Sequence, residues 1–387
     1  MGHPCDLCHR RAARRELRDD SGEVRGVCAT CHNEFEIGRG LPSAALLVVR
    51  ERPREGDWPV LGLGVSLARN RPACDDGLLA VFSLGGGGAG PSRTLARHIP
   101  RHQDGRPVEF TELADHARGD RLLGVLKMDV DRLGEAMVGA LDRGLPTLAH
   151  LSRRLDEFFA VTLQADLRDR DSPWRDLYTI FSGGDDLLMV GPWNVAFDFA
   201  HHVRRRFSGA FGPEGLTISA GLALSKPKRP IHLAAEEAEA LLEQAKTCPA
   251  PGAAAPRDQC ATLGQVWKWQ DHKYVANTAC LLADWVDRGT AQRGWLHTLL
   301  GLFEMRHGLA QAAPPDPTAT ARLAYHIARN YPPRSARDGA KADDVRTWAD
   351  TLLADFDAMG RVETSYLPAA LRYALAATRH PESGDRP

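Results

Sequence analysis

Two apolar stretches of strand length, Leu177–Ser182 and Leu187–Val190, are separated by Gly183-Gly184-Asp185-Asp186. Two glycines between such runs predict a hairpin, because a tight reversal needs backbone angles that favour glycine. That hairpin organises its surroundings. Upstream, Leu122–Met128 reads as a buried strand. Leu148, Leu151, Leu155 and Phe158 then recur at helical spacing, predicting a helix from Pro146 to about Leu167. Downstream, Val195, Phe199, Val203 and Phe207 predict a helix over 194–208, Leu216–Leu224 a fourth strand, and His232–Lys246 a third helix. Strand, helix, hairpin, helix, strand, helix is the order of an antiparallel α+β sandwich of ferredoxin or palm type, not of a doubly wound parallel sheet.

The flanks differ in character. Residues 1–40 are Arg-rich with two Cys pairs and read as a zinc-binding module. Residues 41–121 hold short apolar runs between Gly-, Pro- and Arg-rich loops, including Gly85–Gly88, and read as a β-containing linker region. No Lys-Ser/Thr follows those glycines, so a phosphate-cradling loop is not supported. The organised core spans 122–248, and Pro249–Pro256 is a linker. A helical domain over 260–378 follows, interrupted at Pro314–Pro317, with a disordered tail at 379–387. A chain of 387 residues accommodates these parts as two or three domains. No apolar run approaches the ~20 residues of a membrane span, and the start lacks a secretory pattern, so the expected location is cytoplasmic with no membrane partner. A net charge of −1 excludes a blanket basic surface that coats nucleic acid.

Cys5-x2-Cys8 and Cys28-x2-Cys31, 19 residues apart, match the spacing of a four-thiolate zinc site. Such a site has no open position, so its role is structural. His9 and His32 read as solvated neighbours of the ligands.

Two groups of carboxylates carry the chemistry. Asp129 ends an apolar strand and Asp131 follows two residues later, on the same face if the strand continues. The pair reads either as metal-binding or as a strand-to-helix cap. Asp185 and Asp186, at the glycine turn, read either as ligands of a hard cation or as solvated hairpin residues. In a palm sheet the first strand neighbours the central hairpin, which brings Asp129 and Asp185 together as two-metal nucleotidyl transfer requires. Lys226 and Lys228, after the fourth strand, are then expected to neutralise a triphosphate; Lys246 suits either that role or a helix C-terminus. Arg204, Arg205 and Arg206 read as a solvated helix face.

These residues resemble a known family. LLGVLKMDVDRLG (122–134), LDEFF (155–159), YTIFSGGDDLLMVGPW (178–193), LTISAGLALSKPKRPI (216–231) and AEALLEQAK (238–246) are similar to the second palm of the large subunit of type III CRISPR effector complexes. The Cys pairs followed by Ile37-Gly38-Arg39-Gly40-Leu41 resemble that family's zinc insertion, and the stretch around Arg293–Leu300 its C-terminal helical domain. Gly-Gly-Asp also occurs in diguanylate cyclases, but Glu-Phe usually follows there, against Asp186-Leu187 here. The resemblance implies cyclic oligoadenylate synthesis from ATP, with two Mg2+ or Mn2+ ions per site. Asp129 and Asp185 would ligate metal with Asp186 assisting. Ser182, Gly183 and Gly184 would shape the nucleotide pocket, and Lys226, Lys228 and Lys246 would hold phosphates. The implied partners are the other subunits of the ribonucleoprotein and its guide and target RNA.

The usual large subunit carries an HD nuclease domain and a first palm before the zinc insertion. Here Met1 lies four residues before Cys5, and no His-Asp dipeptide occurs, so deoxyribonuclease activity is not expected. The other half of the ATP pocket is expected from a separately encoded palm or a second copy of the chain. Rival readings are a non-catalytic scaffold subunit and a stand-alone dinucleotide cyclase.

Overall fold

A computed structural model describes residues 3–18, 24–85, 94–169, 171–212, 215–307, 316, 318–331, 341–356 and 365–379. The chain divides into two compact units after His98. The expected tail beyond Arg379, Gly86–Gly88, and all of Pro314–Pro317 but Asp316 lie outside the described residues.

In the first unit, β1 (Arg15–Arg18) and β2 (Val24–Val27) form the hairpin between the Cys pairs, and α1 (Ala29–Gly40) follows. Next comes a four-stranded antiparallel sheet of β3 (Leu46–Arg50), β4 (Trp58–Val60), β5 (Leu63–Ala68) and β6 (Leu78–Ser83), in the order β4-β5-β3-β6. The region read as a β-containing linker thus holds a four-stranded sheet. Few side chains of its strands are buried, Val48 among them, so no clean alternation fixes their bounds in the sequence.

The second unit begins with α2 (Phe110–Asp115) and centres on a six-stranded sheet in the order β12-β11-β10-β7-β9-β8. Its strands are β7 (Leu123–Val130), β8 (Tyr178–Gly183), β9 (Asp186–Pro192), β10 (Ile218–Ser225), β11 (Gln259–Thr262) and β12 (Gln265–Lys268). The run β10-β7-β9-β8 is antiparallel and has the ferredoxin or palm order. β11 adds in parallel to β10, with α7 (Ile231–Thr247) as the crossover such a pair requires. The stretch read as the start of a helical domain is thus a β-hairpin extending the palm sheet. Its turn residues Leu263 and Gly264 both have positive φ (51° and 73°), and leucine there gives no turn signal.

Alternation gives the sheet two different faces. Leu126, Met128, Val130, Leu187, Met189 and Leu222 face a layer of α3 (Leu133–Asp142), α4 (Leu145–Glu157), α5 (Leu163–Arg168) and α6 (Trp193–Phe211). A π-helical turn, Phe158–Thr162, joins α4 to α5 inside the stretch read as one helix. This core runs without a break into the C-terminal helices α8 (Trp269–Asp287), α9 (Arg293–His307), α10 (Ala319–Asn330), α11 (Lys341–Asp355) and α12 (Leu367–Ala377). At the seam Trp193 meets Tyr373 with ring centroids 4.6 Å apart, and Phe197 stacks on His272 at 4.6 Å. On the other face Leu123, Val125, Val190 and Ala223 pack against α2 and α7. Here α7 sits directly on the strand backbone, since a Cβ on Gly221 would collide with the backbone of Ala238 and Leu242.

Candidate active site

Asp129 is the penultimate residue of β7, on the face that carries α7. The ladder sets Asp186 of β9 directly across from it on one side and Ser219 of β10 on the other. Opposed residues of an antiparallel pair have Cβ atoms about 5 Å apart. Asp185 sits in the two-residue turn with Gly184, whose φ of +67° suits glycine. The Val130 N–H donates to the Asp185 carbonyl at 3.0 Å, clamping the turn to the end of β7. Three carboxylates thus meet at one sheet edge. Burial pushes the Asp129 carboxyl up, Lys246 pulls it back, and Asp185 and Asp131 add to the rise. Asp186 is also raised, by burial first and then by Asp185. Carboxylate oxygens are donors of the kind a hard divalent cation takes, though among the described residues the four cysteines are the only group of three or more His, Cys, Asp or Glu ligands with atoms within 4.8 Å of one another.

The cations beside these carboxylates are Lys246 and Lys127. Lys246, near the end of α7, pairs with the Asp129 Oδ2 at 2.5 Å. Lys127 lies two residues before Asp129 on the same face, pairs with Glu239 of α7, and pulls the Asp186 carboxyl down. Sequence reading gave Lys127 no role at the site. Its signal was the period of two that joins it to Asp129 in a strand otherwise apolar.

Lys226 and Lys228 are elsewhere. β10 runs antiparallel to β7, so Ser219 opposes Asp129 while Ser225 opposes Leu123. Lys226 is seven residues beyond Ser219, about 23 Å away at ~3.3 Å per strand residue. It lies at the opposite end of the sheet, near Asp120, whose carboxyl is raised by burial, a rise that Arg379, Arg293 and Lys226 partly offset. The expected triphosphate role of Lys226 and Lys228 at this cluster is therefore corrected. Ser182 is corrected too: it opposes the buried Leu187, so its side chain points away from the carboxylates, and its Oγ donates to the Phe159 carbonyl at 2.9 Å. Gly183, opposite Asp186, stays on the carboxylate side.

Asp131 lies past the end of β7 and does not cap α3, whose N-cap is Arg132. It does share Asp129's face, but it is buried, at 4% exposure, and its oxygens are occupied. It accepts from the Thr217 hydroxyl at 2.7 Å, the Ser219 hydroxyl at 2.8 and 3.1 Å, and the Asp258 N–H at 3.0 Å. Asp258 is in turn forked by Arg204 at 3.0 and 3.2 Å, and Arg206 forks Asp166 at 2.9 and 3.1 Å. Two of the three arginines read as a solvated face are therefore structural.

In the first unit, the sulfurs of Cys5, Cys8, Cys28 and Cys31 all lie within 4.8 Å of one another, with Cys8 and Cys28 3.9 Å apart. Tetrahedral thiolates at ~2.3 Å from an ion are about 3.8 Å apart, so the four sulfurs fit such a centre. The N–H groups of His9 and His32 close the knuckles onto the Cys5 and Cys28 carbonyls, at 2.9 and 3.0 Å. Around the sulfurs the packed hydrophobics are Leu17, Val27 and Phe35, a core small enough to gain much from a metal cross-link.

Residues 122–254 match the Cas10/Cmr2 second palm domain. The chain is 30% identical over 267 residues to the CRISPR system single-strand-specific deoxyribonuclease Cas10/Csm1 (subtype III-A) of Thermococcus onnurineus, covering 62% of this chain and 34% of that protein. It is 31% identical over 240 residues to the Mycobacterium tuberculosis protein of the same name, covering 57% and 28%. It thus spans about a third of the length of these relatives. Among solved structures, a Csm1-Csm4 cassette in complex with one ATP superposes with a TM-score of 0.62 at 22% identity, over 88% of this chain and 49% of that one. The cassette in complex with cA4 gives 0.59 at 21%, over 86% and 48%. Residues 122–254 are thus similar in sequence to the Cas10/Cmr2 second palm domain, and the sheet order and the likeness to solved structures give the same palm fold.

Proposed function

We propose that this chain supplies the catalytic palm of a type III CRISPR effector and makes cyclic oligoadenylates from ATP in antiviral defence. The observation that carries this is the register of Asp129 with Asp186, beside Asp185 and under Lys246. Asp129, Asp185 and Asp186 would hold Mg2+ or Mn2+, two ions per site, which when bound activate a hydroxyl and neutralise leaving phosphates. The 3′-hydroxyl of one ATP attacks the α-phosphorus of another. A phosphodiester bond forms, the bond to the bridging oxygen breaks, pyrophosphate leaves and the hydroxyl proton passes to water. Lys246 and Lys127, each now held by a carboxylate, are placed to turn to incoming phosphates. Gly183 and Gly184 have open space where a Cβ would stand, which admits a nucleotide to the hairpin backbone.

The Cys cluster in this reading holds a structural Zn2+ in a zinc-ribbon-like module. A palm from another chain, or from a second copy, completes the ATP pocket. The assembly includes the other effector subunits, a Csm4-type protein among them, with guide and target RNA, and works in the cytoplasm. Among the described residues no helix is long and apolar enough to cross a membrane. The deoxyribonuclease activity in the relatives' names is not assigned to this chain, which contains no His-Asp dipeptide.

The test is product analysis by mass spectrometry. The chain, assembled with its partner subunits and target RNA, is given ATP and Mg2+. Cyclic oligoadenylates are expected from the wild type, and Asp185→Asn should lower turnover at least a hundredfold. Unchanged turnover in that variant rejects the assignment. Normal assembly without turnover in the wild type would favour the scaffold reading, and a dinucleotide product the stand-alone cyclase.

A further inference from the structure

β8 is an edge strand of the palm sheet, bonded along its length to β9 alone and broken by a bulge between Thr179 and Phe181. It nevertheless carries the Gly-Gly-Asp-Asp turn. Around Gly183 and Gly184 a Cβ would meet nothing within 4 Å, and the backbone bond from Val130 N–H to the Asp185 carbonyl holds the tip on the β7 side. Two buried polar bonds tie β8 to the helix layer beneath. Near its start, the Gln164 side-chain amide donates to the Thr179 hydroxyl at 3.2 Å. Next to the turn, the Ser182 hydroxyl, 6% exposed, donates to the carbonyl of Phe159 at 2.9 Å.

Phe159 lies in the π-helical turn Phe158–Thr162. π-turns are rare, occur mostly as single turns inside α-helices and are frequent at functional sites. The ring of Phe159 is fully buried and packs edge-on against Phe158 at 5.2 Å, so its backbone cannot follow the hairpin if the hairpin shifts. The serine therefore joins the edge-strand side of the turn, which the Val130 bond holds only from the β7 side, to a fixed point in the helix layer.

We propose that Ser182 is a positioning residue, which sets the Asp185–Asp186 turn at cation-binding height by anchoring it to the π-turn carbonyl of Phe159. The carboxylate cluster is taken here as the cation site proposed above. Ser182 touches neither cation nor nucleotide in this role. It acts as the outer partners of metal ligands do, through orientation.

The probe is Mn2+ binding to the full chain, pre-loaded with zinc, followed by electron paramagnetic resonance. Ser182→Ala and Thr179→Val each remove one buried hydrogen bond between β8 and the same helix. They should lower the melting temperature similarly. Only Ser182→Ala should weaken Mn2+ binding, by roughly tenfold or more, and Ser182→Thr, which keeps the hydroxyl, should restore most of it. In ATP turnover by the assembled complex, Ser182→Ala should lower kcat with KM within twofold. Mn2+ affinity unchanged in Ser182→Ala, or weakened equally in Thr179→Val, overturns the proposal, as does a rise in KM alone. Asp185→Asn in the same titration separates the two levels. If that variant binds Mn2+ like the wild type, the cation site itself is refuted; if it loses binding while Ser182→Ala does not, only the positioning role is.

Discussion

Asp131→Asn separates a metal ligand from a structural anchor. In the structure one oxygen of Asp131 accepts from Thr217, Ser219 and the Asp258 N–H, and the other from Ser219. An asparagine can place its carbonyl oxygen toward Thr217 and Asp258 and its amide toward Ser219, whose hydroxyl turns to accept. Three charge-assisted bonds of about 2 kcal/mol each then become neutral ones of about 1 kcal/mol, a loss of roughly 3 kcal/mol. Asp131→Ala instead strands the Asp258 N–H and the fully buried Ser219 hydroxyl, costing about 4 kcal/mol. At roughly 2 °C per kcal/mol for a unit of this size, the expected drops in melting temperature are about 6 °C and about 8 °C. Calorimetry reads both, and Mn2+ titration of the same samples reads the site. Asp131→Asn should bind Mn2+ within about threefold of the wild type, a range too narrow for a lost direct ligand. A tenfold or larger loss of Mn2+ affinity at near-wild-type melting temperature would refute this reasoning and make Asp131 a ligand.

Two further expectations follow from the geometry. Replacing both Lys226 and Lys228 with alanine should leave the KM for ATP of the assembled complex within twofold, because they stand at the far end of the sheet, whereas Lys246→Ala should raise it about tenfold; a KM rise in the double variant would return those lysines to the site. Burial, helped by His201, pushes the His272 imidazole down to about 3, and Trp267 donates to its Nδ1. The unfolded chain binds that proton below about pH 6.5 and the folded one does not, so stability falls as pH drops through this window, by roughly 2 kcal/mol between pH 7 and pH 5. Denaturant unfolding at the two pH values measures this, and His272→Phe should remove about that much of the difference; an unchanged difference would show that His272 is not the source.

The palm was legible wherever apolar periodicity was strong. The central hairpin, the β7 strand and the α6 ridge of Val195, Phe199, Val203 and Phe207 all stand close to where the sequence puts them. What was misread turned on direction. Antiparallel pairing sends the end of β10 back to the start of β7, so Lys226 and Lys228 fall away from Asp129 although they follow the strand beside it. Ser182 adjoins the glycines, yet a period of two turns it to the opposite face from Gly183. Hydrogen-bond partners were out of reach altogether: nothing local says that Asp131 is filled by Thr217, Ser219 and Asp258, the last 127 residues away. The β11–β12 hairpin escaped because strands of four residues carry too little pattern to outweigh a helical neighbourhood.

The unbroken core beneath the palm has a practical consequence for anyone who wants the palm by itself. The family match stops at 254, but the sheet continues to Lys268 and the shared apolar layer to Ala377. Cutting at the homology border would leave Trp193 and Phe197 without Tyr373 and His272, and would present a greasy underside to solvent. The stretch that matches the family is smaller than the apolar cluster it belongs to, so grafting or minimising this palm means carrying the C-terminal helices along.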